Sequence, residues 1–202
     1  MHRRCEHTYP YFDLKSGNET PITSFKVFLS FFTNKTNDLV TYLDKLSIEH
    51  DQNLFKGCFF GHIRYRCKTK EQYQKLKHSI LQSKKVPSTH ISIVNGREIL
   101  LFKLIDPISK QYGGLQFFEI CDQKDDEDQK AVFHHFEMVY KNRKDFKETE
   151  TFLFFNSKSI LTQEVRKREG VEQLLFKIIV QSGVEIFITT VSLYDIALRR
   201  NM

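Results

Sequence analysis

Histidines, glutamates and arginines set in short alternating runs are the residues of this chain best suited to chemistry. In Gly61-His62-Ile63-Arg64-Tyr65-Arg66 the two-residue period of a strand puts His62, Arg64 and Arg66 on one face. In His134-His135-Phe136-Glu137-Met138-Val139 it does the same for His135 and Glu137. In Leu115-Gln116-Phe117-Phe118-Glu119-Ile120-Cys121 the facing set is Leu115, Phe117, Glu119 and Cys121, which points a carboxylate among aromatic groups. A bare buried carboxylate is costly unless it is paired or coordinates a metal. Two histidines and a glutamate on separate strands, His62, His135 and Glu119, are suitable ligands for Zn²⁺, Fe²⁺, Mn²⁺ or Ni²⁺, with positions left open for water or substrate. Glu137 is then the acceptor behind a ligating histidine, or a base. Arg64 and Arg66 suit a substrate carboxylate or phosphate gripped by paired N–H donors.

Each of these residues has a plainer use. His62 alone fits a hydrogen-bonded core histidine, His134-His135 an ordinary edge pair, and the two arginines a simple neutralisation of Glu119 and Glu137.

The elements that must position these groups follow from periodicity. Residues 1–22, polar and carrying Pro10 and Gly17, read as a loosely ordered leader. Phe25, Phe28, Leu29, Phe32, Leu39, Leu43 and Leu46 recur at helical spacing, and the polar run Thr33 to Thr36 predicts a break between two helices. A strand follows over Cys58–Arg66, then an amphipathic helix from Thr69 to Ser83 with Thr69 and Gln72 as its capping signal. Asn95-Gly96 between the apolar runs Ile91–Val94 and Glu98–Leu104 predicts a hairpin, and Leu115–Cys121 a further strand.

After the acidic stretch Asp122 to Asp128, which reads as a solvated loop, the pattern starts again. A strand over Val132–Tyr140 leads to a segment of mixed helical character over 145–157, then strands over Gln173–Gln181 and Val184–Val191. A helix is expected over Ser192–Arg200, while the strand that the repeat requires is weak or absent around Leu161 to Arg166. Two similar α+β modules in tandem are the organisation implied.

Composition agrees. Of 202 residues 40% are hydrophobic, with 19 Phe and 8 Tyr, enough for a sheet-rich core. The net charge of +6 comes from Lys and Arg interleaved with Asp and Glu, so a solvated surface is expected rather than a nucleic-acid stripe. Four cysteines without a C-x-x-C pair, no signal-peptide pattern and no long apolar run lead to the expectation of a cytoplasmic protein with no membrane partner.

Four blocks together resemble the bacterial YecM family of the vicinal oxygen chelate superfamily. They are Gly61-His62-Ile63-Arg64-Tyr65-Arg66-Cys67, Val94-Asn95-Gly96-Arg97-Glu98-Ile99-Leu100-Leu101-Phe102-Lys103-Leu104, Phe118-Glu119-Ile120 and His135-Phe136-Glu137-Met138-Val139. The resemblance runs over about residues 25–198. It implies an α+β fold in which two tandem βαβββ modules, about 57–121 and 132–191, form an incompletely closed sheet around a cleft, with an N-terminal helical extension. It further implies a divalent transition metal (Zn, Fe, Mn or Ni) held by the first and last strands of each module. Carried over, the ligands are His62, Glu119 and His135. The fourth position falls on Thr189, a departure from the pattern, with Glu185 as an alternative if the strand register shifts. The spacing from His62 to Glu119 is close to that from His135 to Thr189. The implied activity is that of a lyase, isomerase or oxygenase acting on a small anionic or dioxygenated molecule; the alternative is a non-catalytic binding module of the same fold with a degraded metal site.

Overall fold

The structure, a computed structural model, describes residues 22–49, 54–94, 96–122, 132–156, 160–168, 171–179 and 185–192. The leader over 1–21, the acidic residues 123–128 and the helix expected over 193–200 lie outside them. In chain order the elements are α1 (Phe25–Glu49), β1 (Cys58–Arg66), α2 (Lys70–Leu81), β2 (Ser88–Val94), β3 (Arg97–Lys103) and β4 (Phe117–Cys121). There follow β5 (Val132–Tyr140), α3 (Arg143–Asn156), β6 (Ile160–Arg168), β7 (Val171–Ile179) and β8 (Glu185–Thr189). Strand, helix and three strands thus occur twice.

Two expectations need correction. Thr33 to Thr36 does not break the first helix, because the Thr33 and Thr36 hydroxyls donate to the carbonyls of Leu29 at 2.8 Å and Phe32 at 2.7 Å, one turn back. Polar side chains that bond within the helix have no need to end it. The weak strand is also present: β6 pairs along its whole length with β7, from Ile160 opposite Ile179 to Arg168 opposite Val171. Its charged, sparsely apolar sequence suits the sheet edge at which it lies, where one side of the backbone needs no partner strand. The anticipated hairpin forms between β2 and β3, with Gly96 at φ +76°, in the left-handed region that favours glycine. Thr69 caps α2 as its spacing predicts, accepting from Gln72 N at 3.0 Å.

The strands form one eight-stranded sheet in the order β2-β3-β4-β1-β5-β8-β7-β6. Each module contributes four adjacent strands, and the modules join through the antiparallel pair β1–β5. Among the described residues neither β2 nor β6 has a second strand partner, so the sheet is not closed. The helices pack on one face. There Phe28 and Phe32 of α1 lie edge-on to Tyr65 and Phe118, with ring centroids 5.7 to 6.0 Å apart. Phe146 of α3 meets Phe176 of β7 at 5.1 Å. Ile63, Tyr65, Phe118, Ile120, Phe136, Met138, Ile186 and Ile188 face this core. Leu115 joins it as well, so it does not share the face of Glu119 as strand alternation had suggested.

The opposite face carries His62, Glu119, His135 and Glu137, all buried. The described helices pack on the other face, and the twist of the strands curls the sheet around these four groups.

Candidate metal centre

A bulge in β1 sets the position of His62. Phe60 pairs with Met138 and Ile63 with Phe136, so Gly61 and His62 together stand opposite Glu137. Two residues against one is a β-bulge, a device that re-aims a side chain. It lets Phe60 and Ile63 both face the helical core while His62 turns into the cleft. Gly61 is required there. A Cβ at this position would meet Glu137 Oε2 at 2.5 Å and Val139 Cγ2 at 2.9 Å, so only glycine leaves room for the carboxylate to lie across the bulge.

Glu137 uses that room to hold the imidazole. Its Oε2 lies 2.7 Å from His62 Nδ1, and Gln173 Nε2 approaches its Oε1 at 3.5 Å while donating to Val191 O at 2.7 Å. The other ring nitrogen, His62 Nε2, is 3.6 Å from Glu119 Oε2 and is a buried atom without a hydrogen-bond partner. Burial opposes the charged ring, but Glu137 and then Glu119 outweigh it and raise the His62 pKa above the usual histidine range. Arg64 Nε lies 2.8 Å from Glu119 Oε1, yet neither atom has hydrogen-bonding geometry, so this is an ion pair without a well-directed hydrogen bond.

His135 reaches the same place from β5, its ring 5.4 Å from that of His62 and edge-on to it. Its ring also stacks on Phe187 of β8, at 4.2 Å and 18°. The structure therefore gathers His62, Glu119, His135, Glu137 and Arg64 at one locus. Arg66 lies one alternation further along β1 and makes no ion pair among the described residues.

The fourth corner differs from the position that the resemblance implies. Exchanging the modules about the β1–β5 seam maps His62 onto His135 and Arg64 onto Glu137, which satisfies the observed pairing of Arg64 with His135 and of the bulge with Glu137. Arg64 pairs with Glu119 in parallel, and Glu137 pairs with Phe187 in the same way. Phe187, rather than Thr189, is thus the counterpart of Glu119. Thr189 is fully buried and its hydroxyl contacts Val191 O at 3.1 Å and Val191 N at 3.2 Å. Glu185 is turned to Lys177 at 2.8 Å.

Sequence reasoning missed three participants: Gly61, Gln173 and Phe187. A glycine inside a strand is itself a signal of a bulge or a close approach. Nothing in the local pattern marks Gln173 or Phe187.

Donor type, burial and the partnerless Nε2 of His62 suit a divalent metal, with Glu137 fixing the ring from behind. Among the described residues, however, no three His, Cys, Asp or Glu side chains are grouped so as to hold one as they stand. A metal would have to draw Glu119 and His135 toward His62, and Arg64 would have to yield part of its hold on Glu119.

Comparisons with known proteins agree with the fold. No curated protein matches in sequence. A solved structural-genomics protein, EC4020, is similar at a TM-score of 0.53 and 19% identity, over 79% of this chain and 86% of that one. Methylmalonyl-CoA epimerase from Mycobacterium tuberculosis is similar at a TM-score of 0.46 and 10% identity, over 69% of this chain and 91% of that one. Catechol 2,3-dioxygenase is similar at 0.42 and 14%, over 66% of this chain but only 40% of the length of that one. The model of the family described as YecM protein matches residues 25–190, nearly the whole of both modules and α1, and the chain belongs to that family.

Proposed function

We propose that the cleft binds a divalent transition metal through His62, Glu119 and His135 and presents it to a small ligand with two adjacent oxygens. The observation that carries this reading is the imidazole of His62, fixed at Nδ1 by Glu137 at 2.7 Å, with its buried Nε2 lacking any hydrogen-bond partner. Leaving a buried polar atom unsatisfied is unfavourable, by about 1–3 kcal/mol. A ligand for that nitrogen removes the penalty.

When bound, the metal would act as a Lewis acid that stabilises negative charge developing on ligand oxygens. The chain's own groups do the rest. Glu137 would keep the Nδ1 proton on His62, so that Nε2, once it gives up the proton that the two carboxylates favour, serves as the lone-pair donor. Its Oε2 is committed to that ring, so it acts through His62 as a positioning residue, and service as a base would require it to release the ring. The phenyl ring of Phe187 fixes the His135 plane and closes the fourth corner against water. With three protein ligands the remaining positions are open to substrate, as catalytic metal sites require. The reaction class that suits this arrangement is a lyase, isomerase or oxygenase step on a small oxygenated molecule.

A second reading is favoured by Phe187 and by the Arg64–Glu119 pair, which neutralises a ligand carboxylate without any metal. On it, the chain is a binding module with a degraded centre. Metal analysis of protein purified without chelator separates the two. The metal centre predicts near-stoichiometric transition metal, falling at least tenfold in His62→Ala and His135→Ala. Protein that arrives metal-free and whose melting temperature does not respond to Zn²⁺, Mn²⁺, Fe²⁺ or Ni²⁺ sinks the first reading and leaves the second.

A further inference from the structure

Among the described residues, three half-buried cations have a carboxylate within 3 Å. Lys77 pairs with Glu98 at 2.7 Å, Lys177 with Glu185 at 2.8 Å and Arg64 with Glu119 at 2.8 Å. Arg66 and Arg97 depart from this pattern. Each is half-buried, and each keeps a guanidinium nitrogen that solvent does not reach and that has no acceptor: Nε in Arg66 and Nη1 in Arg97. Neither guanidinium forms an ion pair among the described residues.

The sheet places both on the face of the centre and on the same side of it. Arg66 pairs with Cys121 of β4, and Cys121 pairs with Ile99 of β3, so all three share the face that carries Glu119. Arg97 stands two residues before Ile99 and faces the same way. Two strand spacings of about 4.8 Å, with an offset of two residues or about 7 Å along β3, separate Arg66 from Arg97, a gap that two arginine side chains can span from opposite sides. Guanidinium donors withdrawn from water without an acceptor are unfavourable in the free protein, and an anion placed between them supplies the missing acceptors and charge.

We propose that Arg66 and Arg97 form an oxyanion subsite that holds the phosphate or carboxylate group of the small ligand received in the cleft. The assignment rests on the reading of the cleft as a ligand site but not on the presence of metal. It moves the anion-binding role away from Arg64, which Glu119 already engages. It also sets the ligand's shape. Four residues of strand, about 13 Å, lie between His62 and Arg66, so the ligand is elongated, with paired oxygens at one end and the anion toward the other.

The test is a calorimetric titration of the full chain with inorganic phosphate and, separately, with acetate, at constant ionic strength, with metal content measured on the same preparations. Saturable binding of one of these anions is expected, weakened at least tenfold in Arg66→Gln and in Arg97→Gln and unchanged in Lys84→Gln, an exposed control. Preference for phosphate assigns a phosphorylated ligand, and preference for acetate a carboxylate. Should a glutamine variant fail to fold by far-UV circular dichroism, Arg66→Lys and Arg97→Lys keep the charge but lose the paired donors, and must still weaken binding. Absence of saturable binding, or binding equally strong in the arginine variants, overturns the subsite whatever the metal content. Anion binding by unsubstituted protein that arrives metal-free and does not take up added metal removes the metal centre alone and leaves the subsite standing.

Discussion

At the scale of single residues, the arrangement turns on a hydrogen atom. Gly61 has no side chain, and the space so left is filled by the Glu137 carboxylate that holds His62. Gly61→Ala is therefore a selective way to part the two groups without removing either. The added Cβ meets the Glu137 carboxylate and the Val139 Cγ2 methyl, so both side chains must shift while the backbone pairing remains, at a cost of about 1–3 kcal/mol for the lost buried hydrogen bond. Metal affinity is expected to fall about 10- to 100-fold, the usual consequence of freeing a ligating histidine. Urea denaturation and metal competition on one preparation check both halves. Metal affinity equal to wild type would show that Glu137 does not orient His62. His62, Glu119, His135 and Glu137 were legible from sequence because strand alternation assigns faces without knowledge of tertiary structure. Two pairings were legible as well, Glu137 behind a histidine and an arginine against Glu119; the roles of Gly61, Gln173 and Phe187 were not, because a bulge and a cross-strand neighbour depend on register, which a single strand's sequence does not encode.

At the scale of elements, the face carrying the site depends on the face that does not. β1, β4 and β5 are held in register by side chains pointing away from the cleft, and α1 covers them with Phe28 and Phe32. Phe28 touches Tyr65, Phe102 and Phe118, one residue from each of three adjacent strands of module one. Phe28→Ala is expected to destabilise by about 3–5 kcal/mol, the range for removing a fully buried phenyl group. The midpoint of a denaturant melt reads this directly, and a change below about 1 kcal/mol would mean that α1 is a dispensable extension rather than part of the core. Helical spacing showed which residues of α1 are buried, but not that it is one helix, since the threonines' bonds to the preceding turn are invisible to a propensity argument. The same limit hid β6. An edge strand has one backbone side without a partner strand and carries a weak side-chain signature.

At the scale of the molecule, two modules related about the β1–β5 seam have kept their architecture and diverged in their chemistry. Module one presents His62 with Glu119, and module two presents His135 with Phe187 in the matching places. The near-equal sequence spacings that favoured Thr189 misled because the modules differ in length: His134-His135 stand opposite Arg64 as Gly61-His62 stand opposite Glu137, but the run from His135 to Phe187 is five residues shorter than that from His62 to Glu119. This symmetry makes a direct experiment possible. Phe187→Glu should place a carboxylate beside His135 as Glu119 lies beside His62, completing a four-ligand set. Metal affinity is then expected to rise at least tenfold over wild type, provided that His62 and His135 are intact. Lys177, whose Nζ lies 5.9 Å over the Phe187 ring and already pairs with Glu185, would compete for the new carboxylate, so the gain should be larger with Lys177→Met added. The His135→Ala background supplies the control, since there the same substitution has no second histidine to work with and should give little. Unchanged affinity in all three proteins would mean that the fourth corner is not aimed at the centre, and the module-exchange assignment of Phe187 would fall.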